Sequence, residues 1–101
     1  MINIIMDKLL WYIFAGTRGG INRARIVILL RDHPYNTNQI AEELNLDYKT
    51  VKHHLKVLEE NRLITSEGNG YGKVNFLSQS FERDFNSFLE IWNHVKQHGG
   101  Y

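Results

Sequence analysis

The chain has 101 residues, of which 43% are hydrophobic and 12% are aromatic. This length indicates one domain, and this apolar content excludes a disordered chain. The formal net charge is +1, so the chain lacks the strong basic excess of a nonspecific nucleic-acid binder, and a nucleic-acid surface has to be a local one. Because there is no cysteine, disulfides and thiolate metal sites are excluded.

The N-terminal segment is predicted to form a helix from about Asn3 to Phe14, with apolar residues over most of its circumference. Asp7 and Lys8 interrupt it, and residues 16–20 end it before it is long enough to span a membrane. We interpret it as a buried or dimer-facing helix. Association with a membrane through this helix is the alternative.

Two more helices are predicted in the first half of the chain. One spans about Ile21 to Arg31 and ends before Pro34, because proline cannot continue a helix and disfavours helix in the residue that precedes it. The other begins at the capping-box pattern Asn-Thr-Asn-Gln of residues 36–39 and continues to Leu44.

A short turn then leads into a fourth helix, predicted from Tyr48 to about Asn61. In this turn Asn45 tolerates a left-handed backbone, and Asp47 is a good N-cap. One face of the fourth helix carries an apolar stripe with a histidine beside it, namely Val51, Leu55, Leu58 and His54. The opposite face is polar and basic, with Lys49, Thr50, Lys52, His53 and Lys56. Two short helices joined by a tight turn indicate a helix-turn-helix over residues 36–61.

After the fourth helix, the hydrophobic pattern changes to that of strands. Residues 63–66 and 73–77 are predicted to be two strands, and residues 67–72 lie between them. Asn69-Gly70 and the flanking glycines supply the positive φ angles that a hairpin needs. The sequence therefore predicts a β-hairpin wing over residues 63–77.

The last predicted helix runs from about Ser80 to His98 and has a nearly all-aromatic seam. A core of the middle helices and the hairpin is not expected to cover both this seam and the first helix, and soluble monomers rarely expose so large an apolar patch. We therefore predict a homodimer. Its predicted interface consists of Ile5, Leu9, Ile13, Phe81, Phe85, Phe88, Trp92 and Val95.

These elements together predict a mainly α fold with a small β-hairpin, in the order of four helices, two strands and one helix. Residues 1–101 form a single winged-helix domain in this prediction. The terminal helices, residues 3–14 and 80–98, are assigned to dimerisation.

The segment from Asn38 to Glu59 resembles the core of the ArsR-type, or arsenic-repressor-like, winged-helix transcription regulators. Its best mark is the pattern Val-x-x-His-Leu-x-x-Leu of residues 51–58, and residues 23–27 resemble the second helix of that family. Residues 15–23 look particularly like a compact archaeal branch. The resemblance covers roughly residues 15–78. The sequence departs from the family at Asn45 and Arg62, where glycine is usual, and it lacks the cysteines of the metal-sensing members.

The resemblance implies a sequence-specific regulator of transcription that binds double-stranded DNA as a cytoplasmic homodimer. The helix-turn-helix itself predicts which residues make the contacts, because the start of the second helix normally reaches base edges and later residues meet phosphates. Those expected nearest the bases are Tyr48, Lys49, Thr50 and His53. Those expected to bind phosphates are Lys52 and Lys56.

Three other groups have two interpretations each. The first group, Thr37, Asn38 and Gln39, either caps its helix or also binds a phosphate there. Arg18 and Arg23 flank a glycine pair that is either a plain hinge or a phosphate clamp, and arginine favours the clamp. Tyr71 and Lys73 in the wing either contact DNA or are solvated. We include all of these residues in the predicted DNA-binding surface.

The sequence has no enzyme signature, so we predict no enzymatic activity and no cofactor. His94 and His98 lie four residues apart, and Glu90 lies four before His94, but two histidines fall short of a ligand set. We therefore predict no metal site, and the effector stays open. Besides the membrane-anchored regulator, a winged helix that docks a protein instead of DNA is the rival function.

Overall fold

The computed structural model describes the backbone of residues 4–98 and the side chains of residues 7–98. The helices are α1 (Ile4–Phe14), α2 (Gly20–Asp32), α3 (Thr37–Leu44), α4 (Tyr48–Glu60), α5 (Gln79–Arg83) and α6 (Phe85–His98). The strands are β1 (Tyr35–Asn36), β2 (Ile64–Glu67) and β3 (Val74–Leu77). The predicted fold class, mainly helical with a small sheet, is therefore confirmed. The predicted helix start at Asn3 and the side chain of Ile5 lie outside the described residues.

The sheet has three antiparallel strands in the order β1-β3-β2. The hairpin of β2 and β3 was predicted, whereas the two-residue strand β1 was not. It pairs Tyr35 with Asn75, and the buried Asn75 side chain donates a hydrogen bond to the Tyr35 carbonyl at 3.1 Å. This strand ties the start of the helix-turn-helix to the base of the wing.

Local side-chain bonds fix the two helices of the helix-turn-helix as the sequence predicted. The Asn36 side chain accepts from the Gln39 N–H and the Gln39 side chain accepts from the Asn36 N–H, both at 2.8 Å, which completes the capping box. Asn45 ends α3 in the left-handed conformation, with φ 54°. Asp47 then caps α4 by accepting from the N–H groups of Lys49 and Thr50.

The exit from α4 uses an arginine where glycine is more usual. Arg62 has φ 61°, and its N–H bonds to the Glu59 carbonyl at 3.0 Å. The Leu63 N–H reaches back to the Leu58 carbonyl at 2.9 Å, so the helix ends in a Schellman arrangement. The chain therefore enters the wing through a standard helix end, at the conformational cost of a left-handed non-glycine residue.

The prediction of one continuous C-terminal helix over residues 80–98 is wrong. Asp84, with φ −98° and ψ 10°, separates α5 from α6. Its N–H is shared between the carbonyls of Ser80 and Phe81. No glycine or proline marks this break. Aspartate is a weak helix former, which is the only local signal that the sequence carries there.

The aromatic seam of the C-terminal helices lies inside the chain and not on its surface. Phe14 of α1 packs edge-on against Phe88, with ring centroids 4.6 Å apart, and stacks with Phe81 at 6.1 Å. Residues of the predicted dimer interface that are buried in this core are Ile13, Phe81, Phe85, Phe88 and Trp92. Leu9 and Val95 are half-buried against the same core. The expectation that a single chain leaves the seam uncovered is wrong, because α1 and α6 cover each other.

Candidate nucleic-acid interface

Helix α4 separates its residues into a core face and a polar face, as its sequence predicts. Val51, His54, Leu55 and Leu58 are buried. On the other side, Lys49, Lys52, His53 and Lys56 are exposed, whereas Tyr48 and Thr50 are half-buried at the start of the helix. The helix therefore presents three ammonium groups and an imidazole to solvent along one side.

The wing lies beside the first turn of this helix. Between β2 and β3 the chain makes a short 3₁₀ turn at Gly70–Gly72, and Gly68 and Gly70 take positive φ angles of 99° and 58°. This turn holds Tyr71 at the wing tip with 78% of its side chain exposed. The Tyr71 ring lies 6.4 Å from the ring of Tyr48, centroid to centroid.

An open cleft of about 760 Å³ runs between α4 and the wing. It brings together most of the residues predicted to bind DNA, and four lysines are among its lining residues. The predicted residues that line it are Thr37, Tyr48, Lys49, Lys52, His53, Lys56, Tyr71 and Lys73. A groove lined by lysines, with an exposed aromatic side chain at its edge, has the charge and shape to receive a polyanion.

The cleft also contains an acidic residue that was not predicted to lie there. Glu59 lines it and accepts a hydrogen bond from the Ser66 hydroxyl at 2.9 Å, which ties the end of α4 to the wing. Glu59 follows Lys52 and Lys56 at helical spacings of seven and three residues. The helical period alone therefore places it on this face.

The three predicted residues at the start of α3, residues 37–39, have different surroundings. Gln39 uses its side-chain oxygen in the capping box. Thr37 lines the cleft, whereas Asn38 is exposed outside it. Capping is thus established for Gln39, and a phosphate at this helix start stays a prediction.

The predicted phosphate clamp of Arg18 and Arg23 is wrong for Arg23. Its side chain is buried, and its guanidinium donates to the Ile13 carbonyl at 3.0 Å and to the Thr17 hydroxyl at 2.5 Å. Those donors hold the α1–α2 turn together and cannot meet a phosphate. Arg18 is exposed, but it lies away from the cleft between α4 and the wing.

The same guanidinium also holds α4 in place. The Arg23 Nη1 atom lies 3.2 Å from the Nδ1 atom of the buried His54. Burial, then Arg23, then His53 lower the pKa of His54 to about 4, so its ring is neutral near pH 7 and Nδ1 can accept the hydrogen bond. Burial also lowers the pKa of Arg23 from its usual value. This hydrogen bond between a guanidinium and a neutral imidazole connects α2 to the helix that carries the basic face.

Neither a metal site nor a membrane span is found among the described residues. The rings of His94 and His98 lie 4.5 Å apart, but no third histidine or carboxylate of residues 7–98 joins them in a group suited to a metal ion. No helix within residues 4–98 combines the length and apolar character needed to cross a bilayer.

Comparison with known proteins agrees with this geometry. Residues 22–66, which include the whole helix-turn-helix, match the sequence model of the family described as bacterial regulatory protein, arsR family. No curated protein sequence matches the chain significantly.

Solved structures share the fold at low sequence identity. A probable transcriptional regulator from Pseudomonas aeruginosa superposes with a TM-score of 0.71 at 15% identity, over 95% of this chain and 75% of that one. The reduced form of the transcriptional regulator YodB from B. subtilis gives 0.70 at 20% identity, over 97% of this chain and 95% of that one. Reduced HlyU from Vibrio cholerae gives 0.64 at 13% identity, over 96% and 94%. Residues 22–66 are thus similar to the helix-turn-helix region of the arsR family, and the chain shares the winged-helix fold of these solved regulators.

Proposed function

We propose that the chain binds double-stranded DNA with α4 in the major groove and the wing along the adjacent backbone. The observation that carries this proposal is the lysine-lined cleft between α4 and the wing. The major groove admits one α-helix, and the N-terminal residues of a recognition helix are those that reach base edges. Tyr48, Lys49, Thr50 and His53 occupy that part of α4.

Phosphate contacts fall to residues farther from the helix start. Lys52 and Lys56 lie on the same exposed side, one and two turns along, and Lys73 approaches from the wing. Ammonium groups bind phosphates as point charges and release counterions from the DNA. Tyr71, exposed at the wing tip, is proposed to contact the sugar–phosphate backbone or the minor groove.

Replacing phosphate-binding lysines should weaken binding to every duplex sequence. We expect Lys52→Ala and Lys56→Ala each to lower the slope of log affinity against log salt by about one unit, because each removes about one phosphate contact. Fluorescence anisotropy with duplex DNA at several salt concentrations measures this slope. Lys8→Ala removes an exposed lysine of α1, far along the chain from the cleft, and should leave the slope unchanged.

The same titration distinguishes this function from protein docking. Equal slopes for Lys52→Ala, Lys56→Ala and Lys8→Ala would contradict the assignment of α4. No salt-dependent binding by the parent chain would favour a winged helix that binds a protein, because counterion release is specific to the nucleic acid.

We also propose that the protein acts as a homodimer through the outer surface of α1. The aromatic seam is used within the chain, but α1 still exposes Tyr12, with 62% of its side chain accessible, and leaves Leu9 half-buried one turn before it. A two-fold contact there would present two copies of α4. Such a dimer prefers inverted-repeat sites with half-sites roughly 34 Å apart, one turn of the double helix.

An acidic substitution on this surface should dissociate the dimer without unfolding the chain. We expect Tyr12→Glu to sediment as a monomer at concentrations where the parent chain has twice the chain mass, because the substitution places a charge in the interface core. Ile28→Glu is the matched control, since Ile28 is an exposed apolar residue on another helix, and it should stay dimeric. A monomeric parent chain, or dissociation by Ile28→Glu instead, would contradict this interface.

A further inference from the structure

A second cleft lies at the turn between α1 and α2. It has a volume of about 600 Å³ and is formed by the end of α1, the turn into α2 and the last turns of α6. The volume is within the range of small-molecule sites in proteins. None of its lining residues lines the cleft between α4 and the wing.

The walls of this cleft are aromatic. The indole of Trp11 is 45% exposed and packs at 5.2 Å, centroid to centroid, against the ring of His94. Ile21 and Val95 add apolar surface. A large indole left half in water, with apolar side chains around it, offers a flat ring a face for offset stacking.

The charged group of the cleft is positive. Arg18 lines it, its side chain is exposed, and the guanidinium makes no hydrogen bond or ion pair with another described residue. No aspartate or glutamate is among the lining residues. Ile21 and Asn22, in the first turn of α2, also line this cleft, and their N–H groups make no backbone hydrogen bond among the described residues. The polar groups thus favour a single anionic group, and a guanidinium fork matches a carboxylate.

Hydrogen bonds through Arg23 connect the lining of this cleft to α4. Its lining residue Thr17 accepts a hydrogen bond from the Arg23 guanidinium, and the same guanidinium reaches His54 of α4. Gly19, also in the lining, approaches His54 so closely that a Cβ atom there would lie 2.7 Å from the ring Cε1. A molecule bound against residues 17–20 therefore touches the segment that holds the recognition helix.

We propose that this cleft binds a small aromatic carboxylate, with the ring against Trp11 and the carboxylate on Arg18. This site shares no lining residue with the cleft between α4 and the wing, so ligand binding to it can be measured without DNA. The hydrogen bonds of Arg23 to Thr17 and His54 connect this site to α4.

Calorimetric titration of the full chain with 2-naphthoate and with 2-naphthamide tests the charge requirement. The two probes share one ring system and differ in the anionic group. We expect the carboxylate to bind about tenfold more tightly than the amide, as a charge-assisted contact with Arg18 requires. Equal affinities, or no binding of either probe at millimolar concentration, would overturn the proposal.

Two substitutions locate the site. Arg18→Gln should remove the preference for the carboxylate and leave the affinity for the amide unchanged, whereas Trp11→Leu should weaken both probes. Arg83→Gln is the matched control, because Arg83 is an exposed arginine of α5 outside the cleft. Loss of binding in Arg83→Gln, or full retention in Arg18→Gln, would show that the naphthoate binds elsewhere.

The NMR resonances of the His54 ring show whether a ligand in the cleft affects the contact between Arg23 and α4. Saturation with naphthoate should shift them in the parent chain, and naphthamide at equal concentration should shift them less.

A second copy of the chain is the rival occupant of the cleft. If the apparent dissociation constant for naphthoate rises with protein concentration, the partner chain fills the cleft and the small-molecule assignment is wrong.

Discussion

We expect Phe88→Ala to lower the free energy of unfolding by about 3–5 kcal/mol, the usual cost of removing a buried phenylalanine side chain. Phe88 is fully buried, and its ring lies 4.6 Å from that of Phe14 and 5.0 Å from that of Phe85. The substitution leaves a cavity at the centre of the contact between α1 and α6, where stiff aromatic neighbours relax only partly. Urea denaturation of the parent and the variant measures the difference.

Tyr71→Ala is the control for this substitution, because it also removes an aromatic ring but from the exposed tip of the wing. We expect its unfolding free energy to stay within about 0.5 kcal/mol of the parent value. The difference between the two unfolding free energies shows whether the aromatic residues pack within one chain or between two chains. A Phe88→Ala protein that unfolds like Tyr71→Ala but sediments as a monomer would contradict the intrachain core and restore the seam as the dimer contact.

The parts of the fold that were predicted correctly are those fixed by local chemistry. The capping box at Asn36, the left-handed Asn45 and the N-cap Asp47 each involve residues within a few positions of one another, so their sequence pattern determines their structure. The same holds for α4, whose apolar period separates the buried stripe from the basic face. This is why most of the predicted DNA-binding residues lie in one cleft.

The incorrect predictions concern partners that are distant in sequence. An aromatic seam with a spacing of three and four residues shows that a helix face is buried, but the spacing is the same whether the partner is α1 or a second chain. Likewise, strand β1 exists only because Tyr35 pairs with Asn75, forty residues later, and two residues have no detectable period.

The burial of Arg23 was predictable from the helical period of α2, but its charge favoured a different interpretation. Positions 23, 27 and 30 share one face of α2, and all three are buried, so the helical period placed Arg23 in the core. Its charge suggested a phosphate clamp instead. A buried guanidinium needs acceptors, and it finds them in the Ile13 carbonyl and in His54, thirty-one residues away. The histidine of the family-like pattern at residues 51–58 therefore serves to hold α4 against α2.

That role of His54 predicts a loss of stability in acid. The folded protein lowers the pKa of His54 from its usual 6.5 to about 4, so below pH 6.5 the unfolded chain takes up a proton that the folded chain does not. This uptake costs no stability above pH 6.5, and the free energy of unfolding falls progressively as the pH drops from 6.5 towards 4. Between pH 7 and pH 4 we expect a loss of about 3 kcal/mol from this group, because each unit of pKa difference corresponds to 1.36 kcal/mol.

His54→Asn isolates this loss, because an asparagine oxygen can accept the Arg23 hydrogen bond near the position of Nδ1 and does not titrate. Denaturant unfolding of both proteins from pH 7 to pH 4 gives two curves, and the carboxylates contribute equally to both. We expect the parent curve to fall more steeply by about 3 kcal/mol over that range. His53→Asn, which removes the exposed neighbouring imidazole, should keep the steep curve. Parallel curves for the parent and His54→Asn would mean that His54 has the same pKa in the folded and the unfolded chain, which would contradict a ring kept neutral by its burial beside Arg23.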